Sequence, residues 1–277
     1  MISFWFLPSH LRIASERVYT LLRCIRFDVL YLNVTRKVED LIYSLAEGAP
    51  YDWFIHEVVE RGLVPEPAGS WEYWVKPILL AIRGILKENP RVKIFCYRQP
   101  YMAEFSARLA IEIARLTFRF ISTGKTDLGK WRCLISHFLR VGGDAMRDEA
   151  RYIMDRYEPE ERGVCISDLG SRGLIDLLRD GGLELDSHYI LLPYHFTPIE
   201  IITREIRRYK MRGLTMPDQR LLRLIREHTK FIRDYILLSR DYDEAYLRWI
   251  HDRARWIESR LKTKLYTQAW VETHSAS

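Results

Sequence analysis

Short apolar runs alternate along this chain with longer stretches whose apolar positions recur every three or four residues. The runs at 2–7, 28–33, 92–97, 164–168 and 189–192 are short and rich in Val, Ile, Phe and Tyr, and they predict buried strands. After the first run, Val18, Leu21, Leu22 and Ile25 share one helical face. Strand, short turn, helix and strand thus make a βαβ unit within the first 33 residues, and repetition of the unit predicts an α/β fold with a mainly parallel sheet and flanking helices.

Between residues 51 and 74 the pattern breaks, with Trp53, Pro65, Pro67, Gly69, Trp71 and Trp74 in close succession. That composition predicts an irregular excursion forming a lid or pocket wall. Met102, Phe105, Leu109, Ile113, Leu116 and Phe120 then outline a helix of about five turns. Gly142-Gly143 marks a break before another helix with Met146, Ala150, Ile153 and Met154 inward. From Pro217 onward the period is purely helical, with Asp218 as a cap and a second helix from about 243 to 262. The expected organisation is an α/β domain over 1–212, a C-terminal helical hairpin over 213–265, which also offers a surface for homo-oligomer formation, and a flexible tail over 266–277.

Composition narrows the class. Of 277 residues 48% are hydrophobic, enough for a full core, yet no stretch approaches the roughly 18 apolar residues of a membrane span. A start without a basic lead or small-residue cleavage site predicts a cytoplasmic protein. Only 2 Asn and 3 Gln stand against 29% charged residues, the balance of a thermophilic, archaeal-type chain. Cys24, Cys96, Cys133 and Cys165 are too scattered for paired zinc spacing. The net charge of +6 draws on Arg204, Arg207, Arg208, Lys210 and Arg212, a stretch that reads either as a solvated helix end or as a nucleic-acid contact.

The candidate chemistry lies at strand ends. Leu7-Pro8-Ser9-His10 and Leu192-Pro193-Tyr194-His195 each bring a histidine to the carboxyl end of a predicted strand, where parallel sheets bind their ligands. Imidazole serves there as a general base or as a metal ligand. Asn33, Tyr97, Arg98 and Asp168 end the second, third and fourth predicted strands and are candidate binding residues, Arg98 for an anionic group. His56-Glu57 lacks the second histidine of a zinc-protease helix, since Glu60 stands in its place. No nucleotide-binding glycine turn, phosphate loop or nucleophile elbow occurs.

The order of a strand ending in a turn and histidine, a helix, the strand Phe27-Asp28-Val29-Leu30-Tyr31-Leu32-Asn33, a later Met146-Arg147-Asp148-Glu149-Ala150, and a last strand with a second histidine resembles the TraB/PrgY, Tiki and erythromycin esterase superfamily over about residues 2–206. That superfamily includes metal-dependent proteases and macrolide esterases. The resemblance implies a hydrolase of an amide or ester in a small molecule or peptide, with His10, Arg147 and His195 catalytic. In its metal-dependent form His10 and His195 hold a divalent metal. Where the family turn carries glycine this chain has Pro8 and Pro193, and where the second strand ends in an acid it has Asn33, a poor metal ligand. Glu16, Glu57, Asp148 and Asp168 are substitute acids, Asp168 the best placed at a strand end. Two alternative readings are a non-catalytic binding or regulatory protein on the same scaffold and a nucleic-acid-binding protein using residues 204–212.

Overall fold

A computed structural model describes residues 1–8, 10–64 and 67–261. Ser9, Pro65 and the tail expected over 266–277 lie outside the described residues, as does residue 262, the expected end of the second hairpin helix. Five strands among the described residues, β1 (Ile2–Leu7), β2 (Val29–Thr35), β3 (Lys93–Arg98), β4 (Gly163–Asp168) and β5 (Leu185–Tyr189), form one sheet in the order β3-β2-β4-β1-β5. All pairings are parallel, with Ile2 opposite Gly163 and Leu7 opposite Asp168. The predicted α/β class is the observed one.

Parallel sheets covered on both faces need apolar side chains on both sides of each strand, which makes the inner strands continuous runs in the sequence. Trp5, Leu7, Leu30, Leu32, Ile94 and Ile166 face one layer. It contains α1 (Arg12–Leu22), α2 (Glu39–Glu47), α3 (Tyr51–Glu60) and α4 (Ala68–Glu88). Phe4, Phe6, Tyr31, Tyr97 and Cys165 face the other, which holds the end of α6 (Leu128–Met154) and α7 (Arg172–Asp180). Right-handed crossovers account for the split, because the chain moves one way across the sheet from β1 to β3 and the opposite way from β3 to β5. At the β2/β4 and β4/β1 neighbours the connections therefore leave to opposite faces, the arrangement in which open parallel sheets bind ligands in a crevice at the strand carboxyl ends.

The structure departs from expectation at several elements. The segment 51–74 is not irregular: α3 and the start of α4 occupy it, and Pro50 and Pro67 cap the two helices. Proline breaks a helix internally but suits its start, so a proline-rich stretch here marks beginnings rather than loops. Trp71 and Trp74 pack on the main core instead of walling a pocket. Gly142-Gly143 does not interrupt the helix but lies within α6. A penalty of about 1 kcal/mol per glycine is absorbed by a long amphipathic helix held by its packing. The last strand is residues 185–189, not 189–192. As an edge strand it carries Asp186, Ser187 and His188 in place of an apolar run. After Ile190 bonds to the Phe6 carbonyl at 2.7 Å, the chain turns away through Leu191 at φ 65°.

The remaining helices are α5 (Pro100–Thr123), α8 (Pro198–Met211), α9 (Asp218–Asp234) and α10 (Tyr242–Leu261). The expected hairpin of α9 and α10 packs on the body of the protein. Leu221, Leu224 and Ile225 join Trp131, Ile135 and Ile202 in a helical core, while Phe231, Tyr246 and Trp249 reach the main one. Pro217, rather than Asp218, occupies the N-cap of α9. Among the described residues no helix is long and apolar enough to cross a membrane.

One long-range cap fixes α10. Leu11 at the N-cap of α1 has no side chain able to cap, and the amides of Arg12 and Ile13 instead donate to Asp243 Oδ1 at 2.9 Å and Oδ2 at 2.7 Å. Asp243→Ala is expected to cost about 1–2 kcal/mol, as for other lost helix caps, read as a lower midpoint in urea unfolding.

His228 of α9 is 5% exposed and edge-on to Trp131, and burial lowers its pKa to about 4. Below the ordinary value of about 6.5 the unfolded chain takes up a proton that the folded one refuses, so stability falls with acid. Between pH 7 and 5 the loss is expected to be about 2 kcal/mol, and His228→Leu should remove most of that slope in unfolding measured across pH.

Candidate functional site

Three strand ends meet around one partly buried cation. Arg98 at the end of β3 places Nη1 3.6 Å from Asp168 Oδ2 at the end of β4, and Nε 3.7 Å from Glu149 Oε1 on α6. Burial opposes the Arg98 charge, but Asp168 and Glu149 outweigh it and the guanidinium is held more basic than usual. Glu149, 2% exposed, is pushed upward by its own burial against the pull of Arg98. Its Oε1 also accepts the Gln99 amide at 3.3 Å.

Asn33 bridges the pair. Its Nδ2 donates to Asp168 Oδ2 at 3.1 Å, and its Oδ1 accepts from Arg98 Nη1 at 3.4 Å. An amide can do both, whereas a carboxylate at 33 would face Asp168 with no proton between them. Asn33, Arg98 and Asp168, expected to share this edge, are thus in mutual contact. Tyr97 lies apart: fully buried on the α6/α7 side, its hydroxyl donates to the Ile166 carbonyl at 3.0 Å and lies 3.1 Å from Ser167 Oγ.

His10 follows β1 by three residues. Its Nε2 is 3.0 Å from Tyr194 Oη, and its ring meets Tyr242 edge-on at 4.9 Å between centroids. Burial lowers its pKa, with Glu200, Asp168 and Asp243 pulling the other way. At neutral pH His10 is therefore an uncharged base within the field of the Asp168 carboxylate.

The second histidine is placed differently. His195 lies six residues beyond the end of β5 with an exposed ring, and what is fixed is its backbone: its N–H donates to Tyr246 Oη at 2.9 Å, and its carbonyl accepts from Tyr246 at 3.1 Å. The neighbouring side chain, Tyr194, is the one that reaches His10. Arg147 is exposed in the last turns of α6 and pairs with Asp144 one turn back, while Glu149 carries that helix into the cluster. The basic stretch 204–212 runs along α8, where Arg204 lies 4.0 Å over the Phe196 ring. Burial and Arg204 lower the pKa of Arg207, while Asp168 opposes them.

The donor set does not suit a metal. Among the described residues no three His, Cys, Asp or Glu groups come together to share an ion. Nε2 of His10 is engaged by Tyr194, the His195 ring is exposed, and Asn33 supplies an amide.

Tyr194, Glu200, Glu149, Tyr242, Asp243 and Tyr246 were not singled out in the sequence. Two local signals pointed to some of them: Tyr194 stands inside the Leu-Pro-x-His string, and Thr197 with Glu200 has capping-box spacing. Tyr242, Asp243 and Tyr246 gave none, since only the return of α10 brings them to the first strand. No family model, characterised protein or solved structure matches the chain.

Asn33→Asp would set a carboxylate against Asp168. A loss of about 2 kcal/mol is expected at pH 7, because like charges raise one carboxyl pKa above its unfolded value. Stability is then regained as acid protonates the pair, so the gap to the wild type in urea unfolding should narrow by pH 5 or so.

Proposed function

We propose that this protein is a hydrolase of the TraB, Tiki and erythromycin esterase type, acting on an amide or ester bond in the crevice beside β1 and β4. The observation that carries the reading is His10, an imidazole kept neutral by burial at a strand carboxyl end, with Asp168 close enough to favour the proton it would take up. In this reading water attacks the carbonyl carbon as His10 removes its proton, and the same proton later passes to the leaving group. Arg207 rather than Arg147 supplies the cation for the developing oxyanion: both are exposed, but Asp168 acts on both Arg207 and His10, whereas Arg147 is paired with Asp144. Asn33, Arg98 and Glu149 hold Asp168 in place.

A screen of activated esters and short peptides tests the proposal. His10→Ala should abolish turnover, Arg207→Met should lower kcat by roughly a hundredfold, and Arg147→Ala should change it less than about twofold. His195→Ala, which keeps the backbone contacts to Tyr246, should cost less than about tenfold. Undiminished turnover in His10→Ala overturns the assignment. A second reading, a binding protein without turnover, is favoured by the neutralisation of Arg98 by its own carboxylates. Specific binding from the same screen with no product would establish it.

A further inference from the structure

We propose that Tyr194 and Glu200 are positioning residues that hold neutral His10 as its Nε2–H tautomer, so that Nδ1 is the basic atom of the site. The inference rests on His10 being the base of the proposed hydrolase, but the tautomer itself is read without turnover.

The direction of the chain follows from counting protons. Glu200 Oε2 accepts both the Thr197 amide and the Thr197 hydroxyl at 2.7 Å, and with these two donors directed at it this oxygen acts as an acceptor and carries no proton. Tyr194 Oη is also 2.7 Å from Oε2 and has a single proton, which it donates there. Burial, followed by Glu200, pushes the phenol pKa upward, so the proton stays on Tyr194. Only lone pairs of Oη are then left for His10 Nε2 at 3.0 Å, and the contact is a hydrogen bond only if Nε2 carries the hydrogen. The reverse order, Tyr194 donating to Nε2, would oppose lone pairs of Oη and Oε2 across 2.7 Å.

Packing prevents the rings from evading this choice. Tyr194 is stacked on Tyr246 at 5.4 Å and edge-on to Phe196 at 5.4 Å, and His10 is edge-on to Tyr242. The charges acting on His10 come from three elements: Glu200 on α8, Asp168 on β4 and Asp243 on α10.

The chemistry balances on Nδ1. It takes a proton from water as the new C–O bond forms and the carbonyl pair moves onto oxygen. The imidazolium retains Nε2–H, whose bond to Tyr194 strengthens and spreads charge toward Glu200. When the carbonyl re-forms and the bond to the leaving nitrogen or oxygen breaks, the Nδ1 proton goes to that atom and His10 returns to its starting tautomer.

Long-range hydrogen–nitrogen NMR of the full-length, 15N-labelled protein tests this, with His10 identified by its absence from His10→Gln. Above about pH 7 His10 should show a protonated, pyrrole-type Nε2 and a pyridine-type Nδ1. Tyr194→Phe, which removes the acceptor, should move both nitrogens toward averaged shifts. A pyridine-type Nε2 in the wild type overturns the inference, as does a His10 spectrum unchanged in Tyr194→Phe. If that variant does not fold, the wild-type shifts decide alone. In an active enzyme Tyr194→Phe should lower kcat roughly a hundredfold with KM within about twofold, and move the acid limb of the kcat profile to lower pH. A fixed Nε2–H ring without turnover sinks the hydrolase and leaves this inference standing, while averaged shifts with turnover do the reverse.

Discussion

Arg98 brings a permanent positive charge to the carboxyl end of a sheet that is otherwise closed on both faces. A guanidinium cannot discharge by losing its proton at any physiological pH, so its burial has to be met by opposite charge and hydrogen bonds. Asp168 from β4 and Glu149 from α6 provide the charge, and Asn33 from β2 joins donor to acceptor between them. The cluster sets how these elements end relative to one another: β2, β3 and β4 must finish at one level, and α6 must present Glu149 rather than Arg147 to the sheet. The carboxyl edge of the sheet is thereby given a connected polar cluster.

The other wall comes from the far end of the chain. Asp243 supplies the cap that α1 lacks, Tyr242 closes over the His10 ring, and Tyr246 clasps the His195 backbone by both its polar groups. These contacts lie within two turns of α10, so that helix binds the first strand, the first helix and the last loop together. The hairpin has no separate core for this part, because Phe231, Tyr246 and Trp249 belong to the cluster that also contains Leu7 and Leu11. Its energetic role and its place beside the candidate base are therefore the same feature.

The two histidines, alike as strings of letters, are unequal in the fold. Pro8 follows directly on β1, a strand paired on both sides, and His10 meets the Tyr194 and Tyr242 rings. Pro193 stands four residues past the end of an edge strand, after a left-handed residue, and the loop points His195 outward while turning Tyr194 inward. The matching strings thus sit in unlike places: one loop carries the His10 imidazole, the other carries the Tyr194 phenol 3.0 Å from it, and Glu200 at the start of α8 accepts from that phenol.

Strands buried on both faces wrote themselves into the sequence as apolar runs, so β1 to β4, the α/β class and the terminal helices were legible from periodicity alone. Asn33, Arg98 and Asp168 were also legible as strand-end residues, because parallel strands end at a common edge. The edge strand β5 was not, since a strand paired on one side need not be apolar, and the helices within 51–74 were hidden because proline at a helix start has the same letter as proline in a loop. What the tertiary structure alone decided was which polar groups touch. The pairing of Arg98 with Glu149, the cap from Asp243 and the Tyr194–His10 bond join residues from 51 to 231 positions apart. No local pattern encodes such contacts, because they follow from burial of charge and from the route of the chain in space.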